Sequence, residues 1–333
     1  MAVPASIGIL GAGSWGTALA ILFARNGCGV RLWSVEAKEL IPLAGERENR
    51  QYLPGMRFPE QLAIEPQLQV LTAAVSDVLV AVPSHGFRAT LQQLAACAPG
   101  NLRLVWATKG FEHDSGKLLH QVAREVLGEQ VPLAVISGPT FAREVAAGLP
   151  TAVTVASTHA DFARDLAQSL HSPGFRAYTS SDMAGVETGG AVKNIIAIGC
   201  GISDGLKFGA NARAALITRG LVEITRLGLA LGAHAETFQG LAGLGDLVLT
   251  CTDDQSRNRR LGLALAAGRD VKRIERDIGQ VVEGVYAAEA AYKLAHRLGV
   301  EMPITEQIYR ILCAGLSPRT AVEALMTRNL KAE

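Results

Sequence analysis

Short apolar runs alternate with amphipathic stretches through the first half of the chain. Ile7–Leu10, Val30–Trp33, Val78–Val82, Leu104–Ala107, Leu133–Ile136, Ala152–Ala156 and Phe175–Tyr178 are too short for ordinary helices and predominantly apolar, the pattern of strands buried on both faces. Segments of helical length separate most of them, among them Thr17–Asn26, Gly86–Cys97, Lys117–Leu127 and Ala160–Leu170. Such alternation predicts crossover units on a largely parallel sheet with helices on both faces. Beyond about Asp182 the β-rich runs nearly vanish. Met183–Leu206, Ala212–Leu231, Arg257–Ala267, Ala287–Leu298, Ile304–Ala314 and Ala321–Leu330 carry Ala, Leu, Arg and Glu at helical spacing. The expected architecture is an α/β domain over residues 1–181 followed by an all-α domain over residues 182–333. No repeat, low-complexity segment or Pro- or Ser-rich linker separates the two.

Composition narrows the function classes. With 333 residues, 49% hydrophobic side chains and a mean hydropathy of +0.22, the chain has enough apolar matter for full cores and too much for disorder. Lys and Arg total 32 against 31 Asp and Glu, a formal charge of +1 that leaves no general field for nucleic acid or an anionic membrane. An anion site must therefore be local. Cys28, Cys97, Cys200, Cys251 and Cys313 are odd in number and scattered, so they read as reduced thiols in or near the core rather than a disulfide framework or a zinc site. The histidines show no metal-binding spacing, and no metal is expected. The first residues lack a basic signal-peptide region, and no uncharged apolar stretch reaches the roughly 18 residues of a membrane span, which makes the cytoplasm the expected compartment.

Candidate chemistry gathers at strand ends. Gly11-Ala12-Gly13-Ser14-Trp15-Gly16 follows the first apolar run directly and opens a helix. Glycines there permit a tight turn, the approach of a pyrophosphate and close helix packing, while the helix N-terminus faces the phosphate charge. Glu36, about 20 residues further on at the end of the second strand, is where an acid accepts hydrogen bonds from an adenosine ribose. Together these features predict a Rossmann-type domain binding a nicotinamide dinucleotide, against the plainer alternative of an ordinary glycine turn. Val82-Pro83-Ser84-His85, Trp106-Ala107-Thr108-Lys109-Gly110 and Ser137-Gly138-Pro139-Thr140-Phe141-Ala142 each end a strand at the carboxyl edge, where ligands of such sheets bind. Lys109 could equally snorkel to solvent, and the Gly138–Thr140 segment could be a plain turn.

In the second half, Gly189-Gly190-Ala191-Val192-Lys193-Asn194 sets a lysine inside an apolar helix with glycines one turn before it. The small residues leave space beside the amine, and burial disfavours its charged form, as a general base requires. A purely structural pairing of Lys193 with Glu187, Glu223 or Asp246 is the alternative. Asp246 lies among glycines and apolar residues, where a solvated carboxylate would be odd, and could orient Lys193. Ser256-Arg257-Asn258-Arg259-Arg260 begins a helix with Ser256 as its N-cap; its backbone donors, Arg257 and the Asn258 amide form either a phosphate cradle or a capped, solvated surface.

GAGSWGTALA from Gly11, VPSH from Val82, WATKG from Trp106, SGPTFA from Ser137, GGAVKN from Gly189, FGANARAALITRG from Phe208, GLGDLVLTCT from Gly243, SRNRR from Ser256 and VVEG from Val281 stand in one order on one chain. In them the sequence closely resembles the bacterial NAD(P)-dependent sn-glycerol-3-phosphate dehydrogenases over nearly its whole length. The resemblance implies a Rossmann domain followed by a helical substrate-binding domain, a homodimer, NAD(H) or NADP(H) as cofactor, and interconversion of dihydroxyacetone phosphate with glycerol 3-phosphate for phospholipid synthesis. It further implies that Gly11, Gly13, Ser14, Trp15, Gly16, Glu36, Lys109, Ala142, Arg257, Val281 and Glu283 serve the cofactor. Lys109, Gly138, Thr140, Lys193, Asp246, Ser256, Arg257 and Asn258 would serve the substrate, with Lys193 as proton acceptor and Lys109 and Asp246 as its catalytic companions. At Val35 many relatives carry Arg or His beside the ribose, so preference between the two dinucleotides stays open. Dehydrogenases acting on β-hydroxyacids or phosphogluconate share a lysine-bearing helix but need a carboxylate clamp, and a non-catalytic dinucleotide sensor would keep the fold without Lys109, Lys193 and Asp246.

Overall fold

A computed structural model describes residues 6–327. The chain divides into two compact units, one formed by the chain up to Lys109 with Leu119–Val186, the other by Gly110–Leu118 with the chain from Glu187 onward. Where periodicity sets a boundary at 181/182, the contacts set it inside the helix Met183–Gly205, and they assign the loop 110–118 to the second unit.

The first unit is built on one sheet of β1 (Ser6–Leu10), β2 (Gly29–Trp33), β3 (Leu62–Ile64), β4 (Asp77–Val80), β5 (Arg103–Trp106), β6 (Leu133–Ser137), β7 (Thr151–Ser157) and β8 (Phe175–Ser180), in the order β3-β2-β1-β4-β5-β6-β7-β8. All neighbours run parallel except β6 and β7. The reversal has a local cause. The only helix between β6 and β7 is Ala142–Ala147, which at about 1.5 Å per residue is too short to carry the chain back along a strand. Every apolar run singled out in the sequence is a strand; β3 was not anticipated, because three residues at a sheet edge carry no legible period. Ala37–Glu46, interrupted by Pro42, and Leu68–Ala74 are further helices absent from the sequence reading.

Ile7, Ile9, Leu32 and Leu79 on the strands and Leu19, Ile21 and Phe23 on the helix Ser14–Arg25 are wholly buried in one cluster. That burial fixes the helix behind the glycine turn. Polar ties fix its far end: Asn26 Nδ2 donates to the carbonyls of Ser169 and Leu170 at 2.9 and 3.0 Å. The sheet order reverses between β1 and β4, and the turn after β1 sits at that switch point, where open α/β sheets bind ligands.

The second unit is helical. Met183–Gly205 is its centre, buried on every face across Ala191–Ile198, as expected of a helix apolar all round. Glycines admit its neighbours: a Cβ at Gly189 would collide with the Ala242 carbonyl, one at Gly201 with the Arg259 carbonyl, and one at Gly262 with that of Ile198. Around it lie Gly209–Ala230, Asp246–Thr252, Arg257–Ala266, Val271–Ile278, Glu283–Leu298, Pro303–Cys313 and Pro318–Met326. Asp246–Thr252 and Val271–Ile278 were not foreseen, and residues 328–330 of the last expected helix lie outside the described residues. Among the described residues no helix is long and apolar enough to cross a membrane. The cysteines are free; Cys28, Cys200 and Cys251 are buried and Cys97 is half-buried, but Cys313, expected near the core, is exposed at the end of its helix.

Candidate active site

The glycine turn has the shape its sequence suggests. Gly11 adopts φ +117°, and a Cβ there would stand 2.7 Å from the Ala81 carbonyl oxygen. Gly16 leaves no room for a Cβ beside the Gly11 carbonyl, whereas the space over Gly13 is open to 4 Å. No side chain caps the helix at Gly13, so the turn of N–H groups opened by Ser14 and Trp15 carries the positive end of the helix dipole. Trp15 Nε1 is buried without a hydrogen-bond partner. An open glycine cradle, an uncapped helix start and an orphaned indole N–H fit the pyrophosphate and flanking groups of a dinucleotide.

Sequence reasoning missed Asn49, which holds this turn from beneath. Its buried side-chain amide donates to the Ala12 carbonyl and to Thr17 Oγ1, both at 2.8 Å, and its Oδ1 accepts from the Tyr52 N–H at 3.1 Å. No local period marks it, since the two groups its amide donates to lie more than 30 positions away. Ala12, Asn49 and Tyr52 border a cavity of about 530 Å³ whose other walls include Lys38 and Arg50. Glu36 immediately precedes the helix Ala37–Glu46 and pairs with Lys38 across 3.4 Å, while Val35 is 61% exposed.

At the carboxyl edge of β5 and β6 the structure brings Lys109, Gly138 and Thr140 together. Lys109 Nζ donates to the Gly138 carbonyl at 3.2 Å, and Thr140 Oγ1 donates to the same oxygen at 3.1 Å. Lys109 is thus anchored rather than merely snorkelling. Gly138, at φ +153°, has no room for a side chain: a Cβ would stand 3.0 Å from Val153 Cα. Ala142 begins the next helix and is half-buried.

In the second unit Lys193 is nine-tenths buried. Its Nζ donates to Asp246 Oδ1 and, at 2.9 Å, to Thr250 Oγ1. Thr250 donates its own hydroxyl proton to the Asp246 carbonyl at 2.6 Å, which leaves its oxygen to accept from the lysine. Thr250, one turn beyond Asp246, is the second residue missed; a Thr four positions after an acid on a helix was the available signal. Of the acids considered for Lys193, Glu223 is engaged elsewhere, accepting from the Ile304 and Thr305 N–H groups at 2.6 and 3.0 Å and from Thr305 Oγ1 at 2.9 Å. Burial pushes the Glu223 carboxyl up to about 7 against the pull of those donors.

Ser256 caps the helix Arg257–Ala266, its Oγ accepting from the Arg259 N–H at 3.2 Å. Arg257 reaches Gln280 Oε1 at 3.1 Å; burial draws its guanidinium below its ordinary value, Glu283 opposes that and Arg260 adds to it. The Asn258 amide faces inward, donating to Asn194 Oδ1 at 3.0 Å and accepting from the Gly284 N–H at 2.9 Å. Glu283 opens the helix Glu283–Leu298 behind Val281. Lys193, Asn194, Asp246, Ser256, Arg257, Asn258 and Glu283 thus share one unit.

A glycine turn at the switch point of a sheet in this order, in a chain that continues as a helical unit with a buried lysine–aspartate pair, defines the class of Rossmann-type dehydrogenases. Residues 6–163 match the N-terminus, and residues 182–323 the C-terminus, of NAD-dependent glycerol-3-phosphate dehydrogenase. The chain belongs to that family. It is 56% identical over 326 residues to glycerol-3-phosphate dehydrogenase (NAD(P)+) of Bartonella tribocorum, covering 98% of each, and 57% identical over 330 residues to that of Shewanella baltica, covering 99% of this chain and 98% of the relative. The crystal structure of glycerol-3-phosphate dehydrogenase from Coxiella burnetii is similar with a TM-score of 0.95 and 50% identity, over 98% of this chain and 100% of that one. D-mandelate dehydrogenase, at 14% identity and a TM-score of 0.63 over 95% of this chain and 99% of that one, shares the fold alone. Family membership decides against the hydroxyacid and phosphogluconate alternative.

Proposed function

We propose that the chain reduces dihydroxyacetone phosphate to sn-glycerol 3-phosphate, reversibly, with Lys193 as the general acid and base. NAD(P)H, when bound, supplies the hydride that the C2 carbon receives. The observation that carries the proposal is the buried Lys193 amine, oriented by Asp246 and Thr250 in the same unit as a helix N-terminus bearing Arg257. In reduction the Lys193 ammonium gives a proton to the C2 oxygen; in oxidation its neutral amine takes the hydroxyl proton. Asp246 stabilises the ammonium and Thr250 limits its swing, so the proton is presented in one direction. Ser256, Arg257 and the first N–H groups of their helix hold the phosphate, as charge-assisted donors at a positive helix end do. The inward-facing bonds of Asn258 support a role in shaping that cradle together with any contact it makes to substrate.

Toward a dinucleotide, Gly11, Gly13, Ser14, Trp15 and Gly16 would hold the pyrophosphate and Glu36 the ribose, and the family resemblance assigns Ala142, Val281, Glu283 and Arg257 to the same cofactor. Lys109, anchored on Gly138, and Thr140 would serve substrate, and Lys109 cofactor as well, as the family resemblance implies. We further infer a cytoplasmic homodimer feeding phospholipid synthesis, supported by the family resemblance. The test is loss of reduced-nicotinamide absorbance on adding dihydroxyacetone phosphate, with NADH and NADPH in turn. Turnover that requires the phosphate ester is expected; no turnover with either dinucleotide, while both bind, would return the chain to the class of sensors.

A further inference from the structure

Arg259 takes no part in the roles proposed above, yet its guanidinium is nine-tenths buried and joins three segments. Nη1 donates to Asp204, near the end of the helix that carries Lys193, and to the Cys251 carbonyl at 3.4 Å; Nε donates to Asp254 Oδ1 at 2.9 Å. Asp204 also accepts from Arg213 at 2.8 Å. Burial pushes the Asp204 carboxyl up, but the two arginines overcome this and hold it below the usual carboxylate range, so the clamp is ionised at neutral pH. Arg259 also donates its backbone N–H to Ser256, the residue that caps the cradle helix.

Two further contacts run between the same pair of helices. Gly201 and Gly262 pack backbone against backbone, and Asn194 bonds to Asn258 at 3.0 Å. The glycine contact sets how closely the helices approach, and sliding along it would break the Asn194–Asn258 bond and the Arg259–Asp204 pair. A planar guanidinium held by carboxylates from both sides resists that sliding. Its charge is met by Asp204 and Asp254, so it adds little to the field at the helix N-terminus, which stays that of Arg257 and the backbone N–H groups.

We propose that Arg259, clamped by Asp204, is a positioning residue that holds the Ser256–Arg257–Asn258 cradle in register with Lys193 without touching substrate. The inference rests on the function proposed above, and wild-type turnover of dihydroxyacetone phosphate tests that function separately. Given such turnover, steady-state kinetics of Arg259→Met, Arg259→Lys and Asp204→Asn, with dinucleotide affinity by fluorescence titration and the folded fraction by circular dichroism, test the clamp. Displacing the cradle by about 1 Å relative to Lys193 should lower kcat per folded molecule by roughly tenfold or more in Arg259→Met, because the C2 oxygen no longer meets the amine. Expected alongside are a KM for dihydroxyacetone phosphate that changes much less, unchanged dinucleotide affinity, and only partial rescue in Arg259→Lys, whose single ammonium cannot span both carboxylates. Asp204→Asn should move kcat in the same direction. An unchanged kcat per folded molecule, or a dinucleotide affinity that falls as far as kcat does, would overturn the proposal and leave Arg259 a stabilising residue. If Arg259→Met does not fold, Arg259→Lys and Asp204→Asn decide by the same criterion.

Discussion

Replacing Lys193 with methionine separates the chemistry of the amine from the packing of its stem. Methionine retains most of the stem volume, so the helix Met183–Gly205 keeps its neighbours. What is lost is the cation beside Asp246, a carboxylate that is only 1% exposed. Thr250 offers little compensation, because its proton goes to the Asp246 carbonyl at 2.6 Å and the carboxylate lies 3.4 Å away. Removing one member of a buried pair costs about 3–5 kcal/mol, against a typical total stability of about 5–15 kcal/mol, so the variant should fold but unfold at clearly lower urea concentration. The double variant Lys193→Met with Asp246→Leu removes both charges and should recover most of that loss, since replacing a buried pair by apolar groups is often close to neutral. Activity should follow a different course. General acid–base catalysis contributes about 10²–10⁴-fold, so kcat should fall by at least that order in both variants, while dinucleotide affinity stays near wild type. Urea unfolding followed by circular dichroism, with NAD(P)H oxidation on the same preparations, gives both quantities. A near-normal kcat in Lys193→Met would refute the assignment and move the proton to Lys109. A double variant no more stable than the single would refute the electrostatic account of the pair.

Three further outcomes are expected. Arg257→Ala should weaken dihydroxyacetone phosphate by roughly 10- to 100-fold in KM, the loss of a charge-assisted bond of about 1.5–3 kcal/mol, with little change in Tm; unchanged KM would return Arg257 to its bond with Gln280 alone. Glu36→Gln should improve NADPH binding relative to NADH by several-fold, since a carboxylate repels a 2′-phosphate; equal ratios in titrations of both forms would remove Glu36 from the ribose site. Glu223, with its carboxyl pushed up to about 7, holds its proton in the fold where the unfolded chain has lost it, so its contribution to stability is full below about pH 4.5 and declines as pH rises to about 7, by on the order of 3 kcal/mol. Glu223→Gln should flatten that part of the stability–pH curve in denaturant titrations, and an unaltered slope would contradict the burial account.

The central strands of the first unit were legible because they are largely buried and therefore mostly apolar, whereas the edge strand β8, read as buried on both faces, is buried only at Phe175; the glycine turn was legible because its backbone demands are met by one residue type. The lysine helix was legible from a charge set in an apolar run. β3, the helix Asp246–Thr252 and the antiparallel setting of β7 were not, since short elements take their conformation from the neighbours they pair with. Resemblance supplied roles for Lys193, Asp246 and Arg257, but local pattern could not choose the partner of Lys193 among Glu187, Glu223 and Asp246. That choice belongs to the tertiary structure: the helices bearing Lys193 and Asp246 meet where Gly189 admits the Ala242 carbonyl, while Glu223 is drawn to the N–H groups of Ile304 and Thr305. Asn49 beneath the glycine turn and Arg259 behind the cradle were invisible for the same reason. Periodicity and backbone preference act over a few residues and are written locally, whereas the partner of a buried charge is decided by which distant helix the packing brings within hydrogen-bond reach.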